Sequence, residues 1–261
     1  MTIAYRIKRA YNKLIFRLSA TDNKLFLWYC KRIYKPAPGS LAGLIDSFTR
    51  GKGAGITFLQ IGACDGIIYD PLHKFIKRDR WKGVMLEPQP QMIHQYLMPL
   101  YRSNRGIKIV NAGLDWADGI RILYTIAPST ERWATGLATF NRGVLVEKLW
   151  NGSLKRHFRR EGIAMPVNPD DGIKECEVKT VSPGTIREMF GGNSVDILAI
   201  DTEGFDYEII KMLIPACFTP GMIIYEEVNL TSYDSTGCRN YLNSQGYRLI
   251  TFGKDIVGVR G

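Results

Sequence analysis

Phe58-Leu59-Gln60-Ile61-Gly62-Ala63-Cys64-Asp65-Gly66 carries an apolar strand straight into a glycine-bearing turn. Glycine in such a turn lets the backbone approach a ligand that a Cβ would hold away. The stretch lacks G-x-G-x-x-G spacing, so it points away from NAD or FAD and toward a smaller nucleoside ligand without a pyrophosphate. The next strand adds to this reading. Trp81-Lys82-Gly83-Val84-Met85-Leu86-Glu87-Pro88 ends in an acid 21 residues after Gly66. A carboxylate there can accept both hydroxyls of a ribose, as an acid about 20 residues on does in nucleotide-binding α/β folds. Its alternative role is a helix N-cap. A third strand ends in Asn111-Ala112-Gly113, small residues that leave room for a base.

Outward from this nucleus, short apolar runs alternate with helical ones. Strands are expected at 56–61, 83–87, 107–111, 121–125, 175–181, 195–200 and 222–226, and helices at 41–50, 71–79, 90–103, 183–190, 205–214 and 235–245. The pattern predicts an α/β fold, a doubly wound and mostly parallel sheet covered on both faces. Two successive strands, 247–252 and 255–259, predict an antiparallel C-terminal edge.

Val195-Asp196-Ile197-Leu198-Ala199-Ile200-Asp201-Thr202-Glu203-Gly204 places two acids beyond a strand's carboxyl end, where ligands sit in open α/β sheets. Asp201 is a candidate catalytic base or orienting group, and Glu203 a candidate partner for a substrate hydroxyl. The pair could also bind a divalent metal through oxygen, or cap the following helix. Tyr225-Glu226-Glu227 adds acids to the same rim, with Glu226 the better placed. Residues 127–175 interrupt the alternation with Trp133, Trp150 and the basic cluster Lys155-Arg156-His157-Phe158-Arg159-Arg160. Such an insertion reads as a substrate wall or a surface decoration. His157 is its candidate base, and the cations around it could hold a phosphate.

The chain's net charge of +10 is lopsided: residues 1–35 hold nine Lys/Arg against the single acid Asp22. The nearly neutral remainder argues against nucleic acid as partner. Ile7, Tyr11, Leu14, Ile15 and Leu18 fall at helical spacing, with Arg6, Arg9, Lys13 and Arg17 on another side. This basic amphipathic extension ends at Lys35-Pro36-Ala37-Pro38-Gly39-Ser40, before a catalytic domain at 36–261. Its two readings are a helix lying on an anionic membrane surface and a helix packed on the domain. No apolar run reaches the length needed to span a bilayer. The five cysteines, at 30, 64, 176, 217 and 238, form no paired framework and fit a reducing cytoplasm.

Taken in order, Ile61-Gly62-Ala63-Cys64-Asp65-Gly66, Trp81-Lys82-Gly83, Leu86-Glu87-Pro88 and Asp201-Thr202-Glu203-Gly204 resemble the FkbM family of S-adenosylmethionine-dependent methyltransferases. The resemblance runs from about Ile56 to Val259. It implies the seven-stranded class I methyltransferase fold, with S-adenosylmethionine held by Gly62, Ala63, Asp65, Gly66 and Glu87. Gln60, Asn111 and Ala112 complete the candidate donor set. Gln60 stands where the family commonly has an acid, and Cys64 where it commonly has Asn. Gln60 can still accept a hydrogen bond from the donor's ammonium, without charge. The expected activity is O-methylation of a hydroxyl on a saccharide or lipid-linked precursor, at the cytoplasmic side of a membrane. The alternatives are a natural-product O-methyltransferase and a nucleoside-binding scaffold with a decayed donor site.

Overall fold

The computed structural model describes residues 3–53, 55–216 and 218–260, with side chains from Ile7 onward; the Arg6 side chain and Cys217 lie outside the described residues. Ten strands are present among them: β1 (Thr57–Ile61), β2 (Lys82–Leu86), β3 (Ile107–Val110), β4 (Gly113–Leu114), β5 (Gly119–Ile126), β6 (Ile173–Val181), β7 (Ile197–Ile200), β8 (Met222–Glu226), β9 (Tyr247–Phe252) and β10 (Asp255–Arg260). Seven form one sheet in the order β3-β2-β1-β7-β8-β10-β9. From β3 to β8 every pairing is parallel, while β10 runs antiparallel to both β8 and β9. The seven-stranded, mostly parallel architecture expected above is therefore present, with its antiparallel pairings at the C-terminal edge.

Burial explains why the central strands read as unbroken apolar runs. In β1, Leu59 and Ile61 pack on one face with Ile200, Ile209 and Ile210. Phe58 packs on the other with Phe75, Ile76 and Trp81. Alternate side chains point to opposite faces, and both faces are covered by helices.

β5 and β6 do not join this sheet, although their sequences sit within the alternation. They pair antiparallel from Gly119↔Thr180 to Ile126↔Ile173, and with β4 make a separate three-stranded sheet. A strand pattern shows that a segment is extended, not which sheet it enters. The residues between β5 and β6 cap the ribbon's far end with helices Arg132–Thr135, Arg142–Trp150 and Lys155–Glu161, gathered on Leu145, Leu149, Leu154 and Phe158.

The N-terminal helix Ile3–Ala20 docks by its C-terminal half. Phe16 meets the Tyr96 ring edge-on at 5.4 Å, and Ser19 is fully buried. Lys77, itself buried, donates to Ser19 O at 2.9 Å, to Asp22 Oδ1 at 2.7 Å and to Leu100 O. Tyr101 donates its hydroxyl proton to Gly66 O at 3.2 Å. His73 Nδ1 must therefore carry the proton given to Tyr101 Oη (3.0 Å), leaving Nε2 to accept from Ser19 Oγ (3.0 Å). Desolvation, reinforced by neighbouring Lys77, pushes His73 down to about 3, so it stays neutral.

Candidate functional site

β1, β2 and β7 end side by side, and a cleft opens beyond their carboxyl ends. Ile61, Gly62, Cys64, Glu87, Gln89, Gly113, Asp201 and Thr202 line it, faced by Arg132, Thr135, Thr139 and Phe140 from the insertion. Gly62 is what lets β1 and β7 finish this close together. Its φ is +78°, and a Cβ there would stand 1.9 Å from Asp201 O. Gly62 N and Ala63 N both donate to Leu86 O at 3.0 Å, tying the turn to β2. Gly66 makes room in the other direction, since a Cβ would meet Leu97 Cδ2 at 2.5 Å.

Glu87 is buried at the end of β2 yet lines the cleft. Its Oε2 accepts from Cys64 N at 2.7 Å; its Oε1 accepts from Gln89 N at 2.9 Å and Gln89 Nε2 at 3.2 Å. Burial raises its pKa above the usual carboxylate value, and these N–H donors offset part of that rise. A carboxylate has about four acceptor positions, so at least one remains for a ligand hydroxyl. With the Gly62 turn in the same lining, this fits a nucleoside.

The other candidate donor-site residues are more dispersed. Asp65 is buried beside the cleft rather than in its lining. It accepts from Ile67 N and Ile68 N, and pairs with Arg132 Nε at 2.7 Å. Asn111 spends its amide on the carbonyls of Glu87 and Pro88, each at 3.0 Å, and so braces the β2 end. Ala112 is buried, and its neighbour Gly113 reaches the cleft. Gln60 points away from Leu59 and Ile61, as strand alternation requires, and donates to Asp70 Oδ2 at 2.9 Å. Its Oε1 is buried without a hydrogen-bond partner in the structure.

At the ends of β7 and β8 the carboxylates of Asp201, Glu203 and Glu226 come together, with oxygen atoms within 4.8 Å of one another. Glu226 is the member of its pair that faces the cluster, whereas Glu227 binds Arg239. Asn229 Nδ2 bridges Glu203 Oε2 (2.6 Å) and Glu226 Oε2 (3.2 Å), and Lys254 pairs with Glu226. Behind them lies fully buried Asp206, which accepts from Thr202 Oγ1 at 2.9 Å and Glu226 N at 3.2 Å.

Burial and the crowding of negative charge raise three of these acids, Asp201, Glu203 and Asp206. Asp201 opens onto the cleft, but protein surrounds its other sides; poor hydration first, then the charges of Glu226, Glu203 and Asp206, hold it well above the usual carboxylate range. Desolvation and Glu226 push Glu203 up to about 7, and desolvation pushes Asp206 up to about 6. Glu203 also stands at φ +52°, its carbonyl held by Thr139 Oγ1 at 2.8 Å. Such a cluster can share and accept protons near neutrality, and its three oxygens could also hold a divalent cation.

The structure brings Gly62, Glu87 and Asp201 into one lining and sets Glu203 beside it. It does not bring His157 there: that ring stacks on Trp133 at 4.9 Å on an outer helix of the insertion, beside Arg160. The contributions of Arg132, Gln89, Asn229 and Lys254 were not read from the sequence. From Gly204 and Phe205 a second groove continues past Phe140, walled by Trp116, Tyr124 and Tyr207. Arg121 packs against both the Phe140 and Phe205 rings, at 4.7 and 4.5 Å, and pairs with Asp115.

The family profile of the methyltransferase FkbM domain matches residues 60–249. No curated protein matches the chain in sequence. Among solved structures, a methyltransferase FkbM from Methylobacillus flagellatus KT is similar at 12% identity and a TM-score of 0.47, over 78% of this chain. This chain spans only 43% of that protein's length. An O-methyltransferase from Bacillus cereus, solved with SAH, aligns at 11% identity and a TM-score of 0.42, over 95% of this chain and 90% of that one. A precorrin-6y C5,15-methyltransferase from Geobacter metallireducens aligns at 13% identity and a TM-score of 0.40, over 87% and 94%.

Proposed function

Since the chain belongs to the FkbM methyltransferase-domain family, we propose that it transfers a methyl group from S-adenosylmethionine to a hydroxyl of a saccharide or its lipid-linked precursor. The observation that carries this reading is one lining shared by the Gly62 turn, buried Glu87 and Asp201. When bound, S-adenosylmethionine supplies an electrophilic methyl on a sulfonium. Glu87 would hold the ribose, and the backbone at Gly62–Cys64 would pass close along the nucleoside. The orphaned Oε1 of Gln60, two residues before the turn, offers an acceptor for the donor's ammonium.

Methyl transfer to oxygen is an in-line displacement, so the protein chiefly has to align a hydroxyl and take its proton. Asp201 and Glu203 stand where the donor cleft meets the aromatic groove, and Glu203's value of about 7 suits proton uptake near neutrality. The acceptor lies along Trp116, Tyr124 and Tyr207 with its hydroxyl toward these acids. The reaction takes place at the cytoplasmic face of a membrane, with the enzyme held peripherally.

A labelled methyl donor with a panel of saccharide and lipid-linked acceptors tests the reading. Alkali-stable labelled products whose methyl is located on a sugar oxygen by NMR or mass spectrometry support it. Label released as methanol identifies esters and contradicts it. A second reading, that the acids hold a divalent cation which binds the hydroxyl, is favoured by the three oxygens within 4.8 Å. It requires transfer to stop on chelation and return with added metal.

A further inference from the structure

The N-terminal helix contacts the body with one face and leaves a second, apolar face outward. At 3.6 residues per turn, Asn12, Phe16 and Ser19 form one stripe, and Ile7, Tyr11, Leu14 and Leu18 form another about 140° away around the helix. Phe16 and Ser19 make the contacts with the body. On the second stripe Ile7, Tyr11 and Leu14 are 64%, 61% and 54% exposed. The next segment repeats the arrangement: Phe26 and Cys30 are buried, while Leu25, Trp28, Tyr29 and Ile33 face solvent. Among the described residues, seven of the fifteen exposed large hydrophobic side chains thus lie between residues 7 and 33. A soluble helix folded merely as packing would turn such a stripe inward.

Charge selects the occupant. Residues 7–35 bear Lys8, Arg9, Lys13, Arg17, Lys24, Lys31, Arg32 and Lys35, and their one acid, Asp22, is occupied by Lys77, Arg80 and Ser103. Lys8 and Arg17 flank the outward stripe at about 90° on either side, where long basic side chains can reach a headgroup while the stripe is submerged. Trp28 and Tyr29 suit the boundary between acyl chains and water. No helix among the described residues is long and apolar enough to cross a membrane. We infer that the outward stripe Ile7/Tyr11/Leu14, together with Leu25, Trp28, Tyr29 and Ile33, is a docking surface for an anionic lipid bilayer. The inference rests on the peripheral placement proposed above and is independent of the methyl-transfer chemistry. The Ser19–His73–Tyr101 chain and Lys77 fix the helix to the body, so docking orients the whole domain.

The test is co-sedimentation of the full chain with phosphatidylcholine vesicles with and without phosphatidylglycerol. The wild type is compared with Ile7→Asp/Leu14→Asp and with Val167→Asp, which alters a fully exposed apolar residue in the insertion. The wild type and Val167→Asp are expected to bind anionic vesicles at least tenfold better than neutral ones. The double variant should lose at least tenfold in binding with an unchanged melting temperature. Equal binding to both vesicle types, undiminished binding by the double variant, or no wild-type binding would overturn the inference. S-adenosylhomocysteine titration of the same preparations shows separately whether the methyl-transfer reading stands.

Discussion

Glu87 and Asp201 end neighbouring regions of one sheet on either side of the Gly62 turn, yet their surroundings differ in kind. Glu87 is enclosed by N–H donors from Cys64 and Gln89. Asp201 is enclosed by other carboxylates, those of Glu203, Glu226 and Asp206. Around Glu87 the donors counter much of the cost of burying its charge, which suits holding a neutral diol. Crowded carboxylates destabilise theirs, which suits exchanging a proton. Two carboxylates at the same level of the sheet, Glu87 buried and Asp201 open to the cleft, thus sit in surroundings suited to binding on one side and to proton exchange on the other.

The sharpest way to break this contrast is Asp201→Asn. We expect transfer to an accepted hydroxyl to fall by roughly 100-fold or more, the scale of general-base catalysis, while S-adenosylhomocysteine affinity stays within a few-fold. A wild-type rate would remove Asp201 from the chemistry. Glu87→Ala should do the converse and weaken donor binding by more than about tenfold, or about 1.4 kcal/mol. Calorimetry showing unchanged affinity would dissolve the distinction between the two acids.

A smaller effect follows from pH. Glu203 and Asp206 are raised in the fold to about 7 and about 6, from 4.5 and 3.8. Between those unfolded and folded values the native state binds more protons than the unfolded chain. Their contribution to stability is thus full below about pH 4 and lost as pH rises through about 6 to 7. Thermal melts should show this loss, and Glu203→Gln should flatten it, adding on the order of 1 kcal/mol at pH 8. A variant melting curve parallel to the wild type's would mean that Glu203 is not strained by its neighbours.

The contrast itself was half legible in the sequence. β1, β2, β7 and β8 announce themselves because strands buried on both faces read as continuous apolar runs. Glu87, Asp201, Glu203 and Glu226 then follow from their place after those runs. What distinguishes their environments does not follow, because Arg132 meets Asp65 across 67 residues, and Asn229 and Lys254 arrive from separate loops. Gln60 turned on a local matter: alternation with Leu59 and Ile61 directs it to Asp70. His157 was read from composition alone, which says nothing of the stacking on Trp133 that occupies it. β5 and β6 were legible as strands but not as a separate ribbon, since partner choice depends on the insertion they carry.

Calorimetric titration of the wild-type protein with S-adenosylhomocysteine tests the central claim most directly. The account predicts one site with micromolar affinity, built on Glu87 and the Gly62 turn despite the uncharged Gln60. Absence of binding would contradict it and leave a nucleoside-free scaffold on a methyltransferase fold.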